Sequence, residues 1–206
     1  QAVEEATEFC GKLGFDPAAI APLSGYERVA AFDDAMDAVL VNDDTKREFL
    51  ALADLVDRLY RAILPDERAN AFYAPHGVLR VLANKIRRDE PDADISEIMG
   101  DVENLLDRSV AAEAFRIHEP GAPFDLSQID FEQLRQQFQR GHKRIAANRL
   151  RGRLNSKLRQ MVRLNPSRMD YLEKLQQMIE DYNAGRANLE LFFEKLMALM
   201  QELSAE

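Results

Sequence analysis

A single cysteine, Cys10, stands among 206 residues. One thiol cannot form an internal disulfide, and the paired spacings of a structural zinc site are missing. The expectation is an intracellular, cytoplasmic protein. No apolar run approaches the ~20 residues of a membrane span, and the mean hydropathy is −0.37, so no membrane association is expected. Glycine is sparse, nine in all. Neither G-x-x-x-x-G-K-[ST] nor G-x-G-x-x-G occurs, which leaves no phosphate-cradling loop and excludes ATP hydrolysis by this chain alone. The three histidines, His76, His118 and His142, lie far apart with no partner at ligand spacing; surface or capping roles are expected of them. Initiator methionine and signal peptide are both missing before Ala2-Val3-Glu4-Glu5, so the expectation is a piece of a longer protein.

What is present suits a globular chain: 46% apolar and 31% charged residues, long enough to bury roughly 70% of its unfolded surface. The net charge of −9 conceals an asymmetry. Residues 1–132 carry 13 Lys+Arg against 28 Asp+Glu, residues 133–169 carry 11 Lys+Arg and no acid, and residues 170–206 carry 3 against 8. The acid-free stretch creates a local positive potential that can meet phosphate, an acidic partner, or the chain's own acidic half.

Apolar periodicity is helical throughout. Residues 45–64 place Phe49, Leu52, Val56, Leu59 and Ile63 on one stripe, with Asn42, Asp43 or Asp44 as cap and Pro65 beyond the end. Val29, Phe32, Met36 and Val39 repeat the pattern over 26–41, Leu79, Leu82 and Ile86 over 77–88, and Ile95, Ile98, Val102 and Leu105 over 95–111 behind an Asp94 cap. The segment Glu119-Pro120-Gly121-Ala122-Pro123 marks a loop. A helix starting at Phe131, with a bend or break expected near Gly141 or Gly152, runs to Asn165-Pro166. Ser167 is a candidate cap for the next helix, whose stripe is Leu172, Leu175, Ile179 and Tyr182. Asn183 or Gly185 is suited to positive φ at its end. Asn188 caps a last helix with Leu189, Phe192, Leu196, Leu199 and Leu203 inward. The fold class is therefore all-α, a bundle of about seven to eight helices, with a lobe over 1–118, a linker at 119–128 and a second lobe over 129–206.

No catalytic, cofactor-binding or metal-binding set emerges. Asp44-Thr45-Lys46 has the D-x-K form of some nuclease sites, but no strands exist to converge its ligands, and helix capping explains it. Cys10 and the methionines read as packing residues. The contact candidates are the basic residues Arg135, Arg140, Lys143, Arg144, Arg149, Arg151, Arg153, Lys157, Arg159, Arg163 and Arg168. Four-residue intervals, as in Arg140/Arg144, Arg149/Arg153 and Arg159/Arg163, line cations about 6 Å apart along a helix. That spacing suits either a nucleic-acid backbone or acidic helices of this chain or a partner. Aromatic residues are absent over 139–168, which disfavours base stacking.

The order Ile129-Asp130-Phe131-Glu132-Gln133-Leu134, Leu164-Asn165-Pro166-Ser167-Arg168, Ile179-Glu180-Asp181-Tyr182-Asn183-Ala184-Gly185 and Phe192-Phe193-Glu194-Lys195-Leu196 resembles the C-terminal helical domain of the R (restriction and motor) subunit of type I restriction-modification enzymes. The resemblance is good over 125–206 and looser before. It implies a parent chain that hydrolyses ATP with Mg²⁺, translocates double-stranded DNA and cleaves it. It also implies methyltransferase (M) and specificity (S) subunits as partners, and docking onto that core as the role of this region. Asn165, Pro166, Arg168, Tyr182, Asn183 and Gly185 are its motif residues, with structural roles expected at the helix ends.

Overall fold

A computed structural model describes residues 1–89 and 131–204. The helix expected over 95–111, the linker at 119–128, His118 and Met99 lie outside the described residues. Among the described residues there are nine α-helices, two 3-10 turns and no strand. The all-α expectation holds.

Among the described residues, five helices build the first half. α1 (Ala2–Lys12) buries Ala6 and Cys10. α2 (Pro17–Ile20), a single turn that periodicity missed, is capped by Asp16, whose carboxylate accepts the Ala18 N–H at 2.8 Å. α3 (Gly25–Val39) buries Phe32, Ala35, Met36 and Val39. Its first turns stand in solvent, so Val29, assigned to the stripe, is 55% exposed. α4 (Asp43–Ile63) starts at Asn42, which accepts the Thr45 N–H at 2.8 Å. Phe49 and Val56 are buried, but Leu59 and Ile63 are exposed because the last turns of α4 outrun their neighbours. After a 3-10 turn (Glu67–Phe72), α5 (Tyr73–Asp89) begins four residues earlier than expected. Pro75 is tolerated there because first-turn amides lack intrahelical acceptors.

Four helices build the second half. α6 (Phe131–Arg140) ends at Gly141, and α7 (Lys143–Leu164) follows. The chain breaks at Gly141 but continues helically through Gly152, where burial of Leu150, Leu154 and Leu158 outweighs the glycine's poor propensity. Asn165 holds the turn Pro166–Arg168 by accepting from the Ser167 N–H (3.1 Å) and Oγ (2.8 Å). Ser167 is thus inside a 3-10 turn rather than capping a helix. α8 (Met169–Asn183) starts beyond it, and α9 (Leu189–Ser204) is capped by Asn188, which accepts the Leu191 N–H at 2.8 Å.

Gly185, not Asn183, takes the left-handed conformation between α8 and α9, at φ +71°. A Cβ added there meets nothing within 4 Å. Gly185→Ala is therefore expected to cost about 1 kcal/mol from backbone strain alone. Thermal melts of the alanine and the more tolerant asparagine variant should rank wild type, Asn, Ala.

Burial falls into two apolar clusters. The first unites α1–α5 around Phe49, Met36, Leu79 and Leu82 and takes in Ile145 from α7. The second unites α6–α9 around Leu154, Leu158, Phe193 and Leu196, with Phe138 stacked on Phe193 at 3.9 Å. The seam between the clusters is where the chemistry gathers.

Candidate functional site

Acid-rich α3, the start of α4 and the end of α5 face the basic first half of α7. Asp37 accepts from the Arg144 side chain at 3.0 Å. Its other oxygen accepts the backbone N–H groups of Arg144 (3.0 Å) and Ile145 (3.4 Å). These amides have no partner within α7, so Asp37 caps that helix from 107 residues away. His142 bonds Asp34 at 2.8 Å, and Arg149 bonds Asp89 at 2.7 Å. Arg151 pairs with Asp43 through contacts of 2.8 and 3.0 Å. Every carboxylate in these pairs comes from the first half and every cationic or imidazole partner from the second.

Two motif residues complete the seam. Asn183 accepts the Asp43 N–H (3.2 Å) and donates through Nδ2 to the Asp43 carboxylate (2.8 Å). It therefore caps α4 across 140 residues rather than simply ending its own helix. Tyr182 donates its hydroxyl to the Val41 carbonyl at 3.0 Å and stacks on Phe192. Burial pushes the Asp43 carboxyl up, but Arg151, Lys46 and the bond from Asn183 together hold it well below the usual carboxylate range. Burial raises the Tyr182 phenol, keeping it a neutral donor.

A cavity of about 20 Å³ lies at this junction, lined by Asp43, Lys46, Asn148, Arg151, Tyr182 and Asn183 among others. Asn148 is buried, and its Nδ2 has no hydrogen-bond partner among the described residues. A space of that size admits about one water molecule, far short of a nucleotide.

The remaining basic candidates separate by position. Arg135 pairs with Glu194 (3.3 Å) and Lys143 with Glu190 (2.9 Å), both within the second half. The Arg140 side chain lies outside the described residues. Arg153 is exposed on α7, and Arg168 is half-buried in the 3-10 turn. Beyond Arg153, Lys157 is half-buried, Arg159 bonds Asn155 one turn before it (3.3 Å), and Arg163 is exposed. No carboxylate pairs with Lys157, Arg159 or Arg163 among the described residues. Leu164 stands 82% exposed beside them.

Elsewhere, His76 is buried rather than superficial. It bonds Asp57 at 2.8 Å and stacks on Tyr60, tying α5 to α4. Asp33 pairs with Lys85, tying α3 to α5. Asp44 pairs with the exposed Arg47 (2.7 Å), while Lys46 turns inward to Asp43. The D-x-K residues thus diverge. Burial drives the Cys10 thiol up to about 12, which makes it unreactive. Among the described residues, no group of three or more His, Cys, Asp or Glu is arranged to hold a metal ion, and no helix is long and apolar enough to cross a membrane.

Acid depletion over 133–169 foretold the sign of the seam but not its pairs. Asp34, Asp37, Asp43 and Asp89 carry no local mark distinguishing them from other surface acids.

A family model described as type I restriction enzyme HindI endonuclease subunit-like, C-terminal, matches residues 1–206. The match takes in the first half, which the motif resemblance reached only loosely. No curated protein and no solved structure matches the chain.

Proposed function

Because the chain belongs to the family of type I restriction enzyme HindI endonuclease subunit-like C-terminal domains, we propose that it is an assembly domain that docks the motor subunit onto a methyltransferase–specificity core. On this reading it performs no bond-breaking step. ATP, Mg²⁺, DNA translocation and cleavage belong to other parts of a parent chain working in the cytoplasm. The observation that carries the reading is the division of labour along α7. The first half of the helix is engaged by the chain's own carboxylates. Its last turns present Arg159 and Arg163 outward, with the half-buried Lys157 just before them and the exposed Leu164 at the helix end. Cationic groups bordering an apolar contact are the usual make-up of a protein interface.

The test is charge reversal at the outward end. Lys157→Glu, Arg159→Glu and Arg163→Glu together are expected to weaken co-elution of the intact R subunit with M and S at least tenfold, with the melting temperature nearly unchanged. Unchanged co-elution would count against docking through this surface. Arg149 is unsuitable for the purpose, because reversal there opposes Asp89.

A second reading rests on Arg159 and Arg163, exposed and one helical turn apart, which suits contact with a double-stranded DNA backbone. If the same variant keeps its partners but loses salt-sensitive binding to an arbitrary 25-base-pair duplex, the surface tracks DNA instead.

A further inference from the structure

The two apolar clusters share no residue, and the seam between them carries a row of ion pairs beside a short apolar contact from Leu40, Ala147 and Phe192. Across the seam run Asp34–His142, Asp37–Arg144, Asp43–Arg151 and Asp89–Arg149, with the bonds of Tyr182 and Asn183 to the start of α4. Ile145 is the one buried apolar side chain of the second half that joins the first cluster among the described residues. The junction also holds a water-sized cavity beside the unpartnered Asn148 amide, whereas the interior of each cluster is closely filled by leucine, phenylalanine and methionine. Hydrophobic association changes little with moderate salt. Attraction between partly exposed charges weakens as the Debye length falls from about 10 Å at 0.1 M to about 3 Å at 1 M. His142, Arg144 and Arg149 all have side chains more than a third exposed.

We propose that the seam is an electrostatic joint. The α1–α5 and α6–α9 bodies each stay folded as ionic strength rises, while the exposed pairs between them let go and the second body changes its orientation about the buried Asp43–Arg151 contact. Screening weakens each of these attractions, most at the exposed Asp34–His142 pair and least at the largely buried Asp43–Arg151 pair. The device does not depend on docking, but it would let the outward end of α7 adjust its direction toward a partner.

The buried, unreactive Cys10 permits labelling without its removal. Ala51→Cys on α4 and Gln201→Cys on α9, both exposed positions, carry spin labels for a distance distribution. Raising NaCl from 0.05 to 1 M is expected to broaden that distribution at least twofold in width, with far-ultraviolet helicity constant. Asp37→Asn with Asp89→Asn should produce the same broadening already at 0.05 M. A distribution that stays narrow in the wild-type protein at 1 M overturns the proposal. So does broadening that appears only together with loss of helicity, because the halves would then form one cooperative unit. The wild-type salt series decides the matter even if the double variant fails to fold.

Discussion

Asp43→Ala is expected to lower the stability of the chain by about 3 kcal/mol at low salt, the scale for removing one member of a largely buried ion pair. For a chain of this size that corresponds to a fall in melting temperature of roughly 6–12 °C. The residue warrants the estimate because one carboxylate serves three elements. It pairs with Arg151 of α7 and Lys46 of α4, and it accepts a hydrogen bond from the Asn183 amide of α8. Truncation leaves a guanidinium and an ammonium without this counter-charge in a poorly hydrated place. Asp43→Asn keeps the shape and should cost less. Acid supplies an independent check. The folded-state carboxyl titrates below its ordinary value of 3.8, so its contribution is complete above that value and is lost as the pH falls toward the folded-state one. The gap in melting temperature between wild type and Asp43→Asn should therefore narrow between pH 7 and pH 3. A gap that does not change with pH would show that charge at Asp43 contributes little.

Phe193→Ala should cost about 3–5 kcal/mol, the range for emptying an aromatic site in a closed core. Phe193 is 1% exposed and stacks on Phe138 with the rings 10° apart, so the aromatic pair is lost along with the buried area. The damage should be local to the second cluster. Hydrogen exchange is the suitable readout. Amides of α6–α9 should lose protection while those of Phe49, Ala53 and Val56 in α4 keep theirs. Equal loss in both halves would mean that the apolar clusters unfold together.

The helices and several of their ends were legible because their determinants are local. Asn42, Asn188 and Asn165-Pro166 act within three residues of where they stand, and the stripes through Leu79–Leu82–Ile86 and Leu196–Leu199–Leu203 are buried as periodicity implies. Val29, Leu59 and Ile63 were assigned inward because a stripe gives the direction of a face but not how far a neighbouring helix extends along it. The turns at Pro17–Ile20 and Glu67–Phe72 are too short for any period to register. The seam was legible only as a charge imbalance. Asp37 meets Arg144, and Asp43 meets Arg151, across more than a hundred residues of chain, and that choice depends on how the clusters dock. Asn183 illustrates the point most sharply. A helix-ending asparagine was visible in the sequence, but the helix whose amide it caps is another one.

That remote cap ties the fold to the order of its own manufacture. Synthesis of α4 ends at Ile63, about 120 residues before Asn183 is made. During that interval the Asp43 amide and carboxylate lack the Asn183 side chain that later bonds them both. The chain has the reverse dependence too, since α7 emerges to find Asp37 already waiting on α3. Synthesis therefore proceeds from a first half whose α4 has only its local Asn42 cap to a second half that is capped on arrival. A nascent chain stalled before α8 should expose the start of α4 to chaperones and proteases, and a completed one should not.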